Sequence, residues 1–182
     1  MPNHSRGIYA PDIYASAGGD RWRFSLGYGG QPQLIVVALN PSTASQTKSD
    51  PTVTKVARVS ALHGFQGFVL LNLYPVRATD WRSLPEQPDP AALAENWRAI
   101  AGTIATSIEP AVWAAWGKAI TQRQFFLDSA LVIAKQLAEF QPQWLHFGPL
   151  SSHGHPRHPS RLSYSWQFRP LAIDSYLQKL TD

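Results

Sequence analysis

The chain has 182 residues, 44% of them hydrophobic and 15% charged, with seven Trp, one Met and no Cys. That length folds as one domain with a sizeable core, and the missing thiols exclude a disulfide framework, a cysteine nucleophile, thiolate zinc sites and a cysteine-held iron–sulfur cluster. Sixteen Lys and Arg against 12 Asp and Glu leave a formal charge of +4, too small a total to name a partner.

The distribution of charge says more. No acid lies between Asp20 and Asp50 or between Glu139 and Asp174, whereas Arg157, Arg161 and Arg169 fall in the second stretch. The two stretches can form one positive face toward an anion such as a phosphate backbone, or they are solvated arginines scattered over the surface. No run approaches the roughly 18 to 20 apolar residues of a membrane span, and the polar residues 1–6 contain no signal-peptide core. A cytoplasmic protein with no membrane partner is expected.

In chain order, residues 1–20 read as an irregular N-terminal arm and residues 21–182 as a single domain. Residues 21–26 alternate polar and apolar, with Trp22, Phe24 and Leu26 on one side, as in a half-buried edge strand. Residues 33–39 carry the continuous apolar run LIVVAL of a strand covered on both faces. It stops at Asn40-Pro41-Ser42, which opens a polar loop over residues 40–50. Pro51 then starts a helix with Asp50 as its cap, running to Gly64.

Residues 68–73 (FVLLNL) are a second buried strand, and residues 89–108 the longest helical pattern. Residues 111–116 (AVWAAW) form a third strand that Gly117 ends, residues 123–140 another amphipathic helix, and residues 144–147 a fourth strand. Residues 149–165 are a long loop, and residues 171–180 close the chain as a helix. Strand and helix alternate four times, which predicts an α/β fold: a three-layer α/β/α sandwich around a central, mostly parallel four-stranded sheet. Ligands in such folds sit beyond the carboxyl ends of the strands, here residues 40–50, 72–80, 116–121 and 148–165.

Each of these ends carries polar chemistry. Asn40 follows a fully apolar strand, and Pro41 fixes the turn that projects its amide, which can orient a water or bind a carbonyl; an ordinary Asn-Pro turn is the plain alternative. Asn72 interrupts an apolar run, so its amide needs either a loop backbone or a ligand such as the edge of a nucleobase. Arg77 can clamp a phosphate or pair with Asp80 or Asp50. Trp81, Trp116 and Trp166 can stack on bases or pack in the core.

The segment 152–164 holds His153, His155 and His158 among its residues. Without Cys, and with few carboxylates nearby, the cluster is read as no metal site. His158-Pro159-Ser160 instead reads as a rigid loop presenting an imidazole to a substrate, while His153 and His155 are expected in a solvated loop.

Two resemblances meet on these residues. The run ALNPSTASQTKSDPT (38–52), then VLLNLYPVRATDWRSL (69–84), AAWG (114–117) and GHPRHPSRLSY (154–164) resembles the bacterial and phage family called Domain of Unknown Function 1643, over about residues 22–170. More distantly, the same order of motifs resembles the uracil-DNA glycosylase superfamily. Its water-positioning motif corresponds to A-L-N-P-S with Asn40, and its L-L-L-N strand to V-L-L-N with the base-binding Asn72. Its Trp-Gly pair corresponds to Trp116-Gly117, and its H-P-S-P-L-S loop to H-P-S-R-L-S with His158, Ser160 and Leu162.

That resemblance implies a base-sugar hydrolase acting on nucleic acid, DNA foremost, in a DNA-repair setting, with no metal or organic cofactor. Asn40 and His158 would be catalytic, and Asn72, Pro41 and Ser42 would bind the base. Arg77, Arg157, Ser160, Arg161 and Ser163 would contact phosphates, and Leu162 would wedge into the base stack. Ser42 stands where classical members have a methyl-excluding Tyr, and Arg161 where they have Pro, so neither uracil selectivity nor the wedge loop is carried over intact. A non-catalytic nucleic-acid or nucleotide-binding module, or a hydrolase of free nucleosides or nucleotides, are the other readings.

Overall fold

The computed structural model describes residues 9–105, 107 and 110–182. One mixed seven-stranded sheet runs through it in the order β1-β2-β4-β3-β5-β6-β7. Its centre is parallel: β4 (Gly67–Asn72), β3 (Gln33–Ala38), β5 (Ala111–Ala114) and β6 (Gln143–Phe147). These are the four strands expected from the apolar runs. Three antiparallel strands extend it, β2 (Trp22–Tyr28) and β1 (Ile13–Ala17) beyond β4, and β7 (Phe168–Pro170) beyond β6.

The expectation of a mostly parallel, four-stranded sheet is therefore corrected to a mixed one of seven strands, with three parallel and three antiparallel pairings. β1 and β7 are short and largely solvated, so they lack the apolar run that marks a buried strand. Part of the expected irregular arm is strand β1, while residues 1–8 lie outside the described residues. With β1 beside it, β2 is an interior strand rather than the edge.

Helices cover both faces. α1 (Pro51–Leu62) packs Val53, Val56 and Val59 on one face, against Leu34, Val36, Phe68, Leu70 and Trp113. Each such side chain removed from water contributes about 1.5–3 kcal/mol. α2 (Pro90–Ile104), α3 (Gln124–Leu137) and α4 (Ile173–Thr181) build a second core on the opposite face with Ile35, Val37, Val69, Leu71 and Val112. Alternate residues of β3 thus feed two cores, which is why its sequence is apolar without a break. The helical pattern expected to reach residue 108 stops at Ile104, and Ile108 lies outside the described residues.

The winding sets the site. From β3 the chain crosses through α1 to β4 on one side, then through α2 to β5 on the other side of β3. This reversal is the topological switch point where the carboxyl ends of parallel strands leave a crevice. No described helix is long and apolar enough to cross a membrane.

Candidate functional site

Asn40, Asn72 and His158 surround the carboxyl end of β3 on the α1 face. Register places Asn72 beside Ala38, and Asn72 follows Phe68 and Leu70 on the side that faces α1. Across β3, Ala115 donates its N–H to Val37 O at 2.8 Å, which brings the Trp116-Gly117 exit of β5 alongside. Gly117 has φ +72°, and a Cβ there would stand 3.2 Å from Cβ of His158. The histidine loop lies directly on that glycine.

Asn40 is held by the loop after β4. Its Nδ2 donates to Ala78 O at 2.8 Å and to Pro41 O at 3.1 Å, and Ala78 N–H returns a bond to Pro41 O at 2.8 Å. Both partners of Nδ2 are carbonyls that only accept, so the amide cannot be turned round. Its Oδ1 is left as an acceptor with no partner among the described residues, suited to orienting a water.

Asn72 is 1% exposed, and its Nδ2 is enclosed without a hydrogen-bond partner among the described residues. The strand exit is braced from the other face, where buried Asn96 donates Nδ2 to Asn72 O at 2.9 Å. Orphaned amide donors of this kind cost about 1–3 kcal/mol and are rare.

His158 caps the short turn Pro159–Arg161, its Nδ1 receiving Ser160 N–H at 3.1 Å. The Ser160 hydroxyl lies 2.9 Å from the same nitrogen. A backbone N–H can only donate, so the ring proton sits on Nε2. Burial pushes the imidazole down to about 4, opposed by the Asp50 carboxylate and assisted by Lys55. At neutral pH His158 is an uncharged donor.

Below the 40–50 loop lies a charged scaffold invisible in the sequence pattern. Arg23 is 2% exposed and donates Nη1 to Ala44 O at 3.1 Å. Burial, with Arg77 nearby, lowers it to about 10 despite Asp50. Asp50 caps α1 through Val53 N–H at 2.9 Å and holds Ala44 N–H at 3.2 Å. Alternation had assigned Arg23 to the solvated side; the strand β1 and the loop cover it instead.

The remaining expected residues are placed otherwise. Arg77 is fully engaged inside the protein, by Ser42 O, Ala44 O, the Tyr14 hydroxyl and Asp20, its ion pair with Asp20 measuring 3.0 Å. It pairs with neither Asp80 nor Asp50 and ties the N-terminal strand to the loop. Arg157 donates to Pro149 O at 2.9 Å and lies over the Trp166 ring at 5.6 Å. Ser160 serves His158, and Ser163 bonds Ser165 at 2.8 Å. Leu162 is half-buried and packs against the α1-side core rather than projecting as a wedge.

Arg161 is exposed with no side-chain bond among the described residues. Pro41 is buried and Ser42 half-buried. From α1, Lys55 donates Nζ to Ser160 O at 2.7 Å and Arg58 lies 4.1 Å from the Tyr164 ring centre, clasping the histidine loop.

The histidines do not converge. His155 is buried, not solvated, bonded to Tyr176 at 3.0 Å, and among the described residues no group of three or more His, Cys, Asp or Glu is placed to hold a metal. Trp116 is buried in the core with its Nε1–H on Tyr176, so it offers no face for stacking. Two surface cavities are present, one of about 330 Å³ beside Ser42 and Arg77, the other of about 390 Å³ beside Trp81 and Lys118, on the α2/α3/α4 face of the sheet. Neither is lined by Asn40, Asn72 or His158.

A model of the family described as "Protein of unknown function (DUF1643)" matches residues 21–160. No curated protein and no solved structure matches the chain.

Proposed function

The chain belongs to the DUF1643 family, whose description assigns no activity, and from that premise we propose that the site reads a nucleobase and hydrolyses its bond to the sugar. The observation that carries this reading is the buried Nδ2 of Asn72, without a partner among the described residues. A base carbonyl entering the crevice would accept from it and remove its desolvation cost.

The other two residues supply the chemistry. Asn40 Oδ1 accepts a hydrogen from a water and aims its oxygen at C1′ of the sugar. As the C1′–N bond breaks, the base leaves with the bonding pair as an anion. Asn72 Nδ2–H and His158 Nε2–H donate to that anion; the water oxygen bonds to C1′, and the proton it sheds ends on the released base. Donors fixed in advance at the developing charge act most strongly in a dry site, where one is worth about 10²–10³ in rate. An imidazole held neutral is a suitable donor, because it stabilises the anion without having to be charged beforehand.

A second reading concerns the size of the substrate, and a specific observation favours it. Of the residues expected on phosphates, Arg77, Arg157, Ser160 and Ser163 are engaged within the protein and Leu162 is packed in. That supports a free nucleoside or nucleotide as substrate ahead of a nucleic-acid strand. The test is release of free base, read by chromatography, from oligonucleotides carrying uracil or hypoxanthine and from the matching nucleosides. Release is expected from the monomers first, falling at least a hundredfold in Asn40→Ala. Absence of release from every substrate, with base binding intact, would reduce the site to a binding module.

A further inference from the structure

The cleft of about 390 Å³ beside Trp81 takes no part in the chemistry above. Trp81 and Ala119 of its lining pack against the α2/α3/α4 core, so the sheet separates it from the Asn72 side chain.

Its lining offers donors. Trp116 Nε1–H donates to the Tyr176 hydroxyl at 3.2 Å, and an indole can only donate. The hydroxyl oxygen can accept twice, but its hydrogen has one acceptor within reach among the described residues, His155 Nδ1 at 3.0 Å, and goes there. His155 is left with its proton on Nε2, on a ring that lines the cleft. Burial, with His153 adding to it, lowers the His155 imidazole below its ordinary range and keeps that tautomer neutral.

Lys118, also in the lining, is exposed and has no ion pair among the described residues. The guanidinium carbons of Arg82 and Arg123 stand 5.1 and 5.2 Å from the Trp81 ring centre. Arg123 stands behind the lining rather than in it, its Nε buried with no hydrogen-bond partner among the described residues. The neighbouring carboxylate, Asp80, is occupied by Arg82 at 3.1 Å and caps the turn Trp81–Ser83. Several donors around a cavity whose nearby acceptor is already taken are satisfied by an oxyanion with many lone pairs.

We infer that this cleft is a second binding site, for the phosphate monoester of a small organic molecule, with the phosphate on Lys118 and His155 and the organic body against Trp81. The volume exceeds what a bare phosphate fills, which is why an attached body is included. The monoester can be a free metabolite or the 5′-phosphate end of a strand; the phosphate chemistry is common to both.

Calorimetric titration of the full chain with inorganic phosphate, a nucleoside 5′-monophosphate, the same nucleoside, and a short oligonucleotide with and without a 5′-phosphate tests the inference. The monophosphate is expected to bind at least tenfold more tightly than its nucleoside. Lys118→Ala, on an exposed side chain, should abolish that tenfold preference, whereas Asn72→Leu, which removes base binding at the first site from nucleoside and monophosphate alike, should leave the preference in place. Tighter binding of the free monoester or of the 5′-phosphorylated strand supports the site in either case and identifies the source. Equal affinity with and without phosphate, no binding at millimolar concentration, or a preference for phosphate that is lost in Asn72→Leu and kept in Lys118→Ala would overturn it. The last result would move the ligand to the first site without touching the proposed base chemistry.

Discussion

Asn72 carries a folding cost with no return among the described residues: it is 1% exposed and its Nδ2 has no hydrogen-bond partner there. Replacing it with Leu, of similar volume, removes the orphan donor. The variant is expected to be as stable as the parent or more so, by up to about 1–3 kcal/mol, while losing base binding. Urea unfolding beside a binding titration checks this, and a clear loss of stability would mean that the amide has a partner within the fold. Asn72 was legible in the sequence because an amide breaks an apolar run. Arg23 was not, because alternation tells two sides of a strand apart but not which loop covers each side. Asn40 and His158 were legible as residues at strand exits, yet the carbonyl of Ala78 and the N–H of Ser160 that aim them lie in loops, whose course depends on tertiary contacts.

The 40–50 loop and α1 act as one element, joined at Asp50. Its carboxylate closes the first turn of the helix through Val53 N–H and pins Ala44 N–H at the same time. Asp50→Ala is expected to lose about 1 kcal/mol from the cap alone and to free the loop that positions Asn40. Hydrogen exchange should quicken at both Ala44 and Val53, and base release should fall with it. Quickening at Val53 alone would show that the loop is held by Arg23 and Arg77 without the carboxylate. The helix start was readable as Asp-Pro, a cap followed by a residue that needs no N–H partner. The flanking strands β1 and β7 were not, since half-solvated segments of five and three residues leave no periodic signature.

Across the whole molecule, the parallel centre of the sheet brings the ends of β3, β4 and β5 together, and the fold's acid sensitivity follows from what is buried there. His158 titrates at about 4 in the folded chain against an ordinary 6.5, and His155 and His146 are also lowered by burial. Between those pH values the unfolded chain binds more protons than the folded one, so stability is full above about 6.5 and is lost as the pH falls toward 4. The urea midpoint should drop across that window, and less so in His158→Gln. A level midpoint would mean that His158 titrates in the folded chain as it does in the unfolded one, so that burial does not hold it neutral below about 6.5.

The central claim is that a base binds at Asn72, and the side-chain amide resonances of that residue report it most directly. Titration of ¹⁵N-labelled protein with uracil, hypoxanthine and their nucleosides should shift the Asn72 Nδ2 signals downfield and saturably for at least one base, as an orphan donor gains an acceptor. Asn72 signals that stay fixed with every base, including any that binds elsewhere on the protein, would contradict it.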